Sequence, residues 1–526
     1  MKRHTRGLVI ISAALLFAYF CAASLFLYLD RMNQNGDRAA AASVSSGQPT
    51  LQILLSGTFP SRLAEQDDFI KTIIEQKFEV NLDVTTAPAG SDYTALIAAK
   101  LAANNPPDMW LNITSDGGAK YTLDNVLADM TYYVTPSTMP NYFKYWITEK
   151  ELKEYQVHNK FARAPIPYDK KSYHAYYIRK DWLDRLGLDI PQTYEQYVAT
   201  LKAFTYQDPD SNGTRDTFGF STSGNGTSIS TDWPEYVRHG LLAPVYYSEG
   251  KLIDMQTDLR VGRVIDDIIK LTKEGVIDPD WFLNMGTQHI DKAVQGEIGV
   301  VLGETSGFAL DSNPDSLQAR SKAINPKADW MPFNPFGNKQ PLRAEVSANY
   351  PFVFSNNTAG GEPEKLMKIA GILDWLASTE GFLLTHYGIE GKHYTREGSR
   401  ITLLPTYTDN EAAAMELWSF FTPNTPEMLG LTVIDPRVTE RDKLVLQTLA
   451  DIPVYEGLGT TLTPPIGIDV EEMRARQDEL QVKMLFSDKS GANWPQYRQE
   501  LMSSYNGDVI LKQYESKIRS SHKERQ

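Results

Sequence analysis

A single cysteine, Cys21, stands in a chain of 526 residues. It excludes an intrachain disulfide and any zinc site built from several thiolates. Only eight histidines are present and none lies in a His-Glu-x-x-His pattern, which leaves little material for a catalytic metal centre. A Gly-x-Ser-x-Gly nucleophile elbow is also missing, since Gly303-Glu-Thr-Ser-Gly307 places its serine one residue late. No Gly-x-x-x-x-Gly-Lys-[Ser/Thr] phosphate loop occurs. Positive charge is scarce as well: 52 Lys and Arg face 66 Asp and Glu, for a net charge of −14. That balance argues against nucleic acid or an anionic membrane surface as the main partner. Paired carboxylates of the glycosidase kind converge in space and not in sequence, so an enzyme of that class stays open as an alternative.

What is present is a globular composition, 42% hydrophobic and 22% charged, with 9 Trp, 27 Tyr and 21 Phe. The length suggests two to four units, or two large interleaved lobes. Lys2, Arg3 and Arg6 precede an uncharged apolar run from Leu8 to Leu29. Such a run is long enough to cross a bilayer of about 30 Å, and the flanking charge keeps its start in the cytoplasm. It reads as a retained signal-anchor that exports the remainder, with removal near Ala39 to Ala42 as the alternative. Residues 1–49 are then anchor or signal peptide plus a linker from Asp30 to Pro49, and the membrane is a partner through this segment.

One stretch dictates its own chemistry by spacing: Asp208-Pro-Asp-Ser-Asn-Gly-Thr-Arg-Asp216. Asp208, Asp210, Asn212 and Asp216 fall at loop positions 1, 3, 5 and 9, Gly213 at 6, and Thr214 offers a carbonyl at 7. Alternate oxygens converging through a glycine turn suit Ca²⁺, which takes roughly 6–8 hard ligands. Position 12 is Gly219 where a bidentate glutamate is expected, so Thr217, a water or a distant carboxylate must complete the shell. An ordinary Asp/Asn/Gly turn is the blander reading. Calcium here is expected to staple a loop and to take no part in ligand contact.

From Leu51 the order is strand, helix, strand: Leu51 to Leu55, Ala64 to Lys77, then the alternating Val80-Asn-Leu-Asp-Val84. A helical stretch from Thr94 to Ala103 and a third strand at Asp108 to Leu111 follow, as in a parallel α/β sheet. Ligands of such sheets sit beyond the carboxyl ends of strands, here Ser56 to Thr58 and Asn112 to Gly118.

Tyr177-Ile-Arg-Lys-Asp-Trp-Leu183, continuing through Leu186-Gly-Leu188 and Pro191-Gln-Thr193 into the calcium loop, carries a family resemblance. So do Glu297 to Gly303, the Ala370 to Gly381 helix, Tyr387-Gly-Ile-Glu-Gly-Lys-His-Tyr394 and the Asn493-Trp-Pro-Gln-Tyr497 tail. Together they resemble the bacterial extracellular solute-binding proteins, family 1, of sugar ABC importers, especially the long lipoprotein-like and alginate-binding members. A lipobox is missing, since Ala18-Tyr-Phe20 precedes Cys21. The resemblance implies an α/β fold of two lobes, each a mixed sheet flanked by helices, with hinge crossings near Tyr173 to Ile178 and Trp330 to Leu342. It also implies an N-terminal lobe of residues 50–175 and 340–400, and a C-terminal lobe of 176–339 and 401–526.

The function implied is capture of an oligosaccharide between the lobes and delivery to ABC permease transmembrane subunits, with presentation to a sensor as the alternative. Sugars offer apolar C–H faces and a hydroxyl rim, so aromatics should stack and polar groups should line the edge. The expected aromatics are Trp110, Tyr176, Tyr177, Trp233, Phe308 and Tyr350; the expected polar groups are Asn112, Asp116, Glu304, Thr305 and Ser306. His393 has no titratable partner fixed by local spacing, and a turn held by Gly388 and Gly391, with Glu390 pairing locally, accounts for it.

Overall fold

The computed structural model describes residues 47–57, 67–88, 90–114, 117–158, 160–168, 173–305, 307–343, 351–404, 406–455 and 462–525. The Leu8–Leu29 run and the Ala39–Ala42 stretch lie outside them, as do Thr58, Asp116, Ser306 and Tyr350. Among the described residues no helix is long and apolar enough to cross a membrane.

The chain first lays down β1 (Thr50–Ser56), β2 (Asn81–Ala87) and β3 (Met109–Leu111). It then builds β4 (His174–Arg179), β5 (Phe218–Phe220), β6 (Val245–Ser248), β7 (Lys251–Asp254), β8 (Ile298–Glu304) and β9 (Trp330–Phe333). Finally it adds β10 (Phe352–Phe354), β11 (Tyr394–Glu397), β12 (Arg400–Leu403) and β13 (Thr432–Ile434). The first sheet has the order β10-β3-β1-β2, with β1 parallel to β2 and β3, and β10 antiparallel to β3. This order explains the patterns in the sequence: β1 is central and mostly apolar, whereas β2 is an edge and alternates. The second sheet runs β5-β8-β4-β9, and its central β8 is again a continuous apolar run. Side chains cap the helices between strands; the Asp68 carboxylate, for example, accepts from the Lys71 amide at 2.8 Å at the start of the Phe69–Phe78 helix.

Two separate cores result. One is built from residues 51–164 and 352–433, the other from 173–342 and 445–514. The chain therefore crosses between Ile166 and Tyr173, between Leu342 and Phe352, and between Val433 and Val445. Tyr173 to Ile178 and Trp330 to Leu342, expected as crossings, instead supply β4 and β9 of the second sheet, and the crossings adjoin them. Residues 401–433, expected in the C-terminal lobe, pack in the first core through Ile401, Trp418 and Phe421. The reason is β12, which pairs antiparallel with β11 and holds this returning segment against the first lobe.

Candidate functional site

Strand direction fixes where the lobes are joined. In the first sheet the carboxyl end of β3 lies beside the start of β10, with Leu111 opposite Phe352, and the second crossing enters at Phe352. In the second sheet the carboxyl end of β8 lies beside the start of β4, with His174 opposite Glu304, and the carboxyl end of β9 lies at the same end, with Phe333 opposite Tyr176. The first two crossings thus leave and enter beside the carboxyl ends of β3 and β8, where α/β sheets hold ligands, while the third leaves from β13.

On the second-lobe wall four charged or titratable groups gather. Glu304 is exposed at the end of β8. His174 is exposed at the opposite strand's start yet closely surrounded; burial and the Arg343 cation lower its pKa, against the pull of Glu304 and Asp232. Arg343 is buried: its Nη2 donates to the Thr231 carbonyl at 2.8 Å and to the Tyr176 hydroxyl at 3.2 Å, while its Nε has no hydrogen-bond partner. Asp232 is half-buried and accepts from the Thr222 hydroxyl at 2.8 Å. Carboxylate acceptors, imidazole and guanidinium donors and hydroxyls such as Thr222 are the inventory that reads a hydroxyl rim. Period-two logic on β4 places His174 on the face of Tyr176 and could have found it in the sequence; Asp232 and Arg343 carry no local signal.

The expected residues divide. Tyr176 and Tyr177 are fully buried: the Tyr176 hydroxyl donates to the Asp232 carbonyl and the Tyr177 hydroxyl to the Glu304 carbonyl, each at 2.6 Å. Trp233 is buried between Phe220 and Trp281, and Trp110 lies in the first core on β3. All four rings are buried: Trp110, Tyr176 and Tyr177 because their strands lie within a sheet covered on both faces, and Trp233 because it packs into the core just ahead of the Pro234–Arg238 helix. Asn112 stands at the end of β3, buried, with its Oδ1 accepting from the Thr114 hydroxyl at 3.0 Å and its Nδ2 without a partner. Thr305 is half-buried and its backbone N–H donates to the Tyr173 carbonyl at 3.2 Å. Phe308 is half-buried over Gly303 and Tyr177, with ring centroids 4.9 Å apart in the latter pair. A Cβ on Gly303 would come within 2.3 Å of the Phe308 ring, so only glycine lets this ring lie on β8.

On the first-lobe side Phe420, which the sequence reading did not single out, is 40% exposed. Its ring meets the first residue of β10, Phe352, edge-on at 5.7 Å, which places it at the crossing end. The Tyr387–Tyr394 signature forms the expected turn, with the Gly391 N–H donating to the Tyr394 carbonyl at 2.7 Å. Its carboxylate partner is Glu411 and not Glu390: Lys392 bonds Glu411, and His393 Nε2 lies 3.4 Å from it.

The Asp208–Asp216 loop joins the Tyr194–Tyr206 helix to β5, within the second lobe. The Asp208 carboxylate accepts from the Asn212 and Gly213 amides, each at 3.1 Å, and the Thr214 hydroxyl donates to Asp216 at 2.7 Å. Burial and the neighbouring Asp208 and Asp216 carboxylates raise the pKa of Asp210. Among the described residues no three acidic, His or Cys side chains surround a common metal position. Instead the Asn212 amide nitrogen donates to Asp210 at 2.9 Å and to both Asp216 oxygens at 3.1 Å. The donor set, crowded hard oxygens with mutual repulsion, fits calcium in type. Gly219 cannot become the missing glutamate, since a Cβ there would stand 2.6 Å from the Leu201 Cβ. Nor is the Thr217 hydroxyl turned to the loop: it donates to the Phe204 carbonyl at 2.8 Å in the core. Glu297 feels the charge of the loop's Asp216: its pKa is raised by burial first, lowered by Lys292, and raised further by Asp278 and Asp216. Its carbonyl accepts from Phe218 at 2.7 Å.

Comparison with known proteins matches this architecture. Over 484 residues, 85% of this chain and 87% of the relative, the sequence is 24% identical to the polygalacturonan/rhamnogalacturonan-binding protein YtcQ of Bacillus subtilis (strain 168). In structure it resembles an EF-hand mutant of the Streptococcus pneumoniae ABC-transporter substrate-binding protein FusA in complex with fructo-nystose (TM-score 0.62, 17% identity, 90% of this chain and 100% of that one). It also resembles the alginate-binding protein AlgQ2 without calcium ion (TM-score 0.64, 14% identity, 91% and 99%). At those identities the likeness is one of fold. Residues 69–339, just over half the chain, match the family described as bacterial extracellular solute-binding protein, and to that family the chain belongs.

Proposed function

We propose that this protein captures an oligosaccharide in the cleft between its lobes, outside the cell membrane, and delivers it unchanged to the transmembrane subunits of an ABC permease. The observation that carries the reading is that the chain passes between the two cores beside the carboxyl ends of β3 and β8, with His174, Asp232, Glu304 and Arg343 gathered at the latter. A saccharide presents hydroxyls to such groups and C–H faces to aromatics, and closing two lobes around it removes water from both. Relatives named for polygalacturonan, fructo-nystose and alginate support the ligand class. Asn112, Glu304, Thr305 and Phe308 are retained as lining residues, joined by His174, Asp232 and Arg343. Asp116, Ser306 and Tyr350 adjoin the same strand ends in the chain. Trp110, Tyr176, Tyr177 and Trp233 act as supports. No bond of the ligand is made or broken, so no residue is assigned a catalytic role.

Calcium is part of the same proposal. Asp208, Asp210, Asn212, Thr214 and Asp216 would hold the ion, with Glu297 as the further carboxylate, and the ion would neutralise repelling charges without contacting ligand. The apolar Leu8–Leu29 run would keep the protein at the permease. Titration calorimetry of the exported domain against pectic, fructan, alginate and N-glycan oligosaccharides tests the reading. Saturable binding with the oligosaccharide recovered intact is expected. Absence of heat and of any melting shift across the panel, or release of shorter products, overturns it.

A further inference from the structure

The third crossing runs into a helix that the sequence starts and orients by itself. Thr439 and Asp442 cap the Glu440–Ala450 helix reciprocally, and Val445 and Leu449, one turn apart, turn one of its faces into the second core. Its first turn is tied to the second lobe on two sides. Arg441 spreads its guanidinium over three acceptors: Nε donates to Asp329 at 2.7 Å, Nη1 to the Ala309 carbonyl at 2.8 Å, and Nη2 to the Trp330 carbonyl of β9. Asp442 is fully buried and accepts from the Asp311 and Ser312 amides, in the loop after β8, at 2.6 and 3.1 Å.

The other two crossings come to the same stretch of chain. At the second-lobe end of the first, the Tyr173 hydroxyl donates to the Leu449 carbonyl in the last turn of the helix at 2.5 Å. At the second-lobe end of the second, the Leu342 amide donates to the Pro453 carbonyl at 2.9 Å, and the Arg343 carbonyl accepts from the Tyr455 amide at 2.7 Å. Tyr455 is itself fixed to β6: its hydroxyl donates to the Tyr247 carbonyl at 2.8 Å and its ring meets Tyr246 edge-on at 5.4 Å. Toward the first lobe the third crossing is held by other groups. Arg437 pairs with Asp435 at 2.7 Å, and its guanidinium lies 5.8 Å from the centre of the Tyr407 ring. Val438 alone separates that hold from the Thr439 cap.

We infer that residues 439–455 form a brace that locks the second-lobe ends of all three crossings together, with Val438 as the pivot of the third. Arg441, Asp442 and Tyr173 are its positioning residues, and none of them touches ligand. Three separately anchored crossings would let the lobes twist and slide as well as close, whereas crossings gathered on one packed helix favour a single bending motion. The walls of the open cleft then stay in register, and less freedom is lost when a ligand is trapped. The brace is independent of which ligand the cleft takes.

The test uses the full chain in detergent. Arg441→Ala removes bonds made by a charged group, so hydrogen exchange should become about tenfold faster, or more, at the Leu342 and Tyr455 amides, neither of which Arg441 touches. Arg441→Lys keeps the charge for Asp329 without the fork and should restore part of the protection. Tyr173→Phe removes one hydroxyl and keeps the ring, which preserves the test if Arg441→Ala fails to fold; it should speed the same two amides by about threefold or more. Spin labels at Tyr132→Cys and Met285→Cys, exposed positions on the two lobes, in a Cys21→Ser background report the interlobe distance. Its distribution should be broader in Arg441→Ala and Tyr173→Phe than in the native protein. Val438→Gly should broaden it as well while leaving exchange at Leu342 and Tyr455 unchanged, because it frees the pivot and spares the brace. Faster exchange confined to the residues that the replaced side chain touched, with an unaltered distance distribution, overturns the brace. If the variants behave as described and the native protein binds no saccharide, the brace stands and the oligosaccharide reading falls.

Discussion

Replacing Glu235 by glutamine isolates the energetic cost of one buried charge. Glu235 is fully buried in the second lobe; its Oε1 accepts from the Tyr194 hydroxyl at 2.8 Å and its Oε2 has no hydrogen-bond partner. Arg238, the nearest cation, is occupied by Asp267 at 2.7 Å, which His239 also approaches at 2.8 Å. Tyr176 and Tyr197 also face the carboxyl, as neutral hydroxyls. Burial therefore dominates and pushes the Glu235 carboxyl from 4.5 up to about 7. Below pH 4.5 the folded and unfolded chains both hold the proton and the group contributes nothing. Between 4.5 and about 7 the unfolded chain releases it while the folded chain keeps it, so stability falls as pH rises. Above about 7 both forms are ionised and the full penalty, about 3 kcal/mol, persists. Glutamine keeps the shape and the acceptor for Tyr194 without the charge. The stability of Glu235→Gln minus that of the native protein should thus grow from near zero at pH 4.5 to about 3 kcal/mol at pH 8. Urea unfolding followed by tryptophan fluorescence at several pH values measures it, and shifts common to both proteins, such as that of Asp478, cancel in the difference. Parallel stability–pH curves for the two proteins would refute the argument.

Other consequences can be checked directly. Asp208 has φ +48°, a conformation asparagine adopts readily, so Asp208→Asn removes charge without backbone strain; it should abolish calcium-dependent thermal stabilisation while leaving oligosaccharide affinity within about twofold. Glu297→Gln should weaken calcium binding by titration calorimetry, and an unchanged constant would remove Glu297 from the shell. Gly303→Ala forces the Phe308 ring away from β8 and should cost about 1–3 kcal/mol by chemical denaturation. Asp374→Ala should destabilise the first lobe by about 2–4 kcal/mol, because its carboxylate accepts from the Asn141 and Tyr142 amides at 2.8 and 2.9 Å at a buried helix start. Second-lobe unfolding should be unmoved.

The β1–helix–β2–helix–β3 order was legible in the sequence because each element carries its own period: apolar runs of strand length, an alternating edge, and helical stretches, the second closed by Asn104-Asn-Pro-Pro107. The Asp208–Asp216 loop was legible for a similar reason, its acidic and amide side chains being packed into nine consecutive residues. The site was much less so. Trp110, Tyr176, Tyr177 and Trp233 suit a sugar by residue type, but all four are buried, the first three on strands covered on both faces and Trp233 ahead of a helix, and sequence period cannot tell which end of a side chain reaches solvent.

The sequence alone determined the local elements, the spacing of the Asp208–Asp216 loop and the motif set that marks the family, since all depend on residues close together in the chain. Only the tertiary structure decided the rest. It assigned residues 401–433 to the first lobe through the β11–β12 pairing, moved the crossings off β4 and β9, and brought Asp232, Glu304 and Arg343 around His174. Those outcomes join residues tens to hundreds of positions apart, and it is packing between distant segments, not local propensity, that chooses which side chains face the cleft.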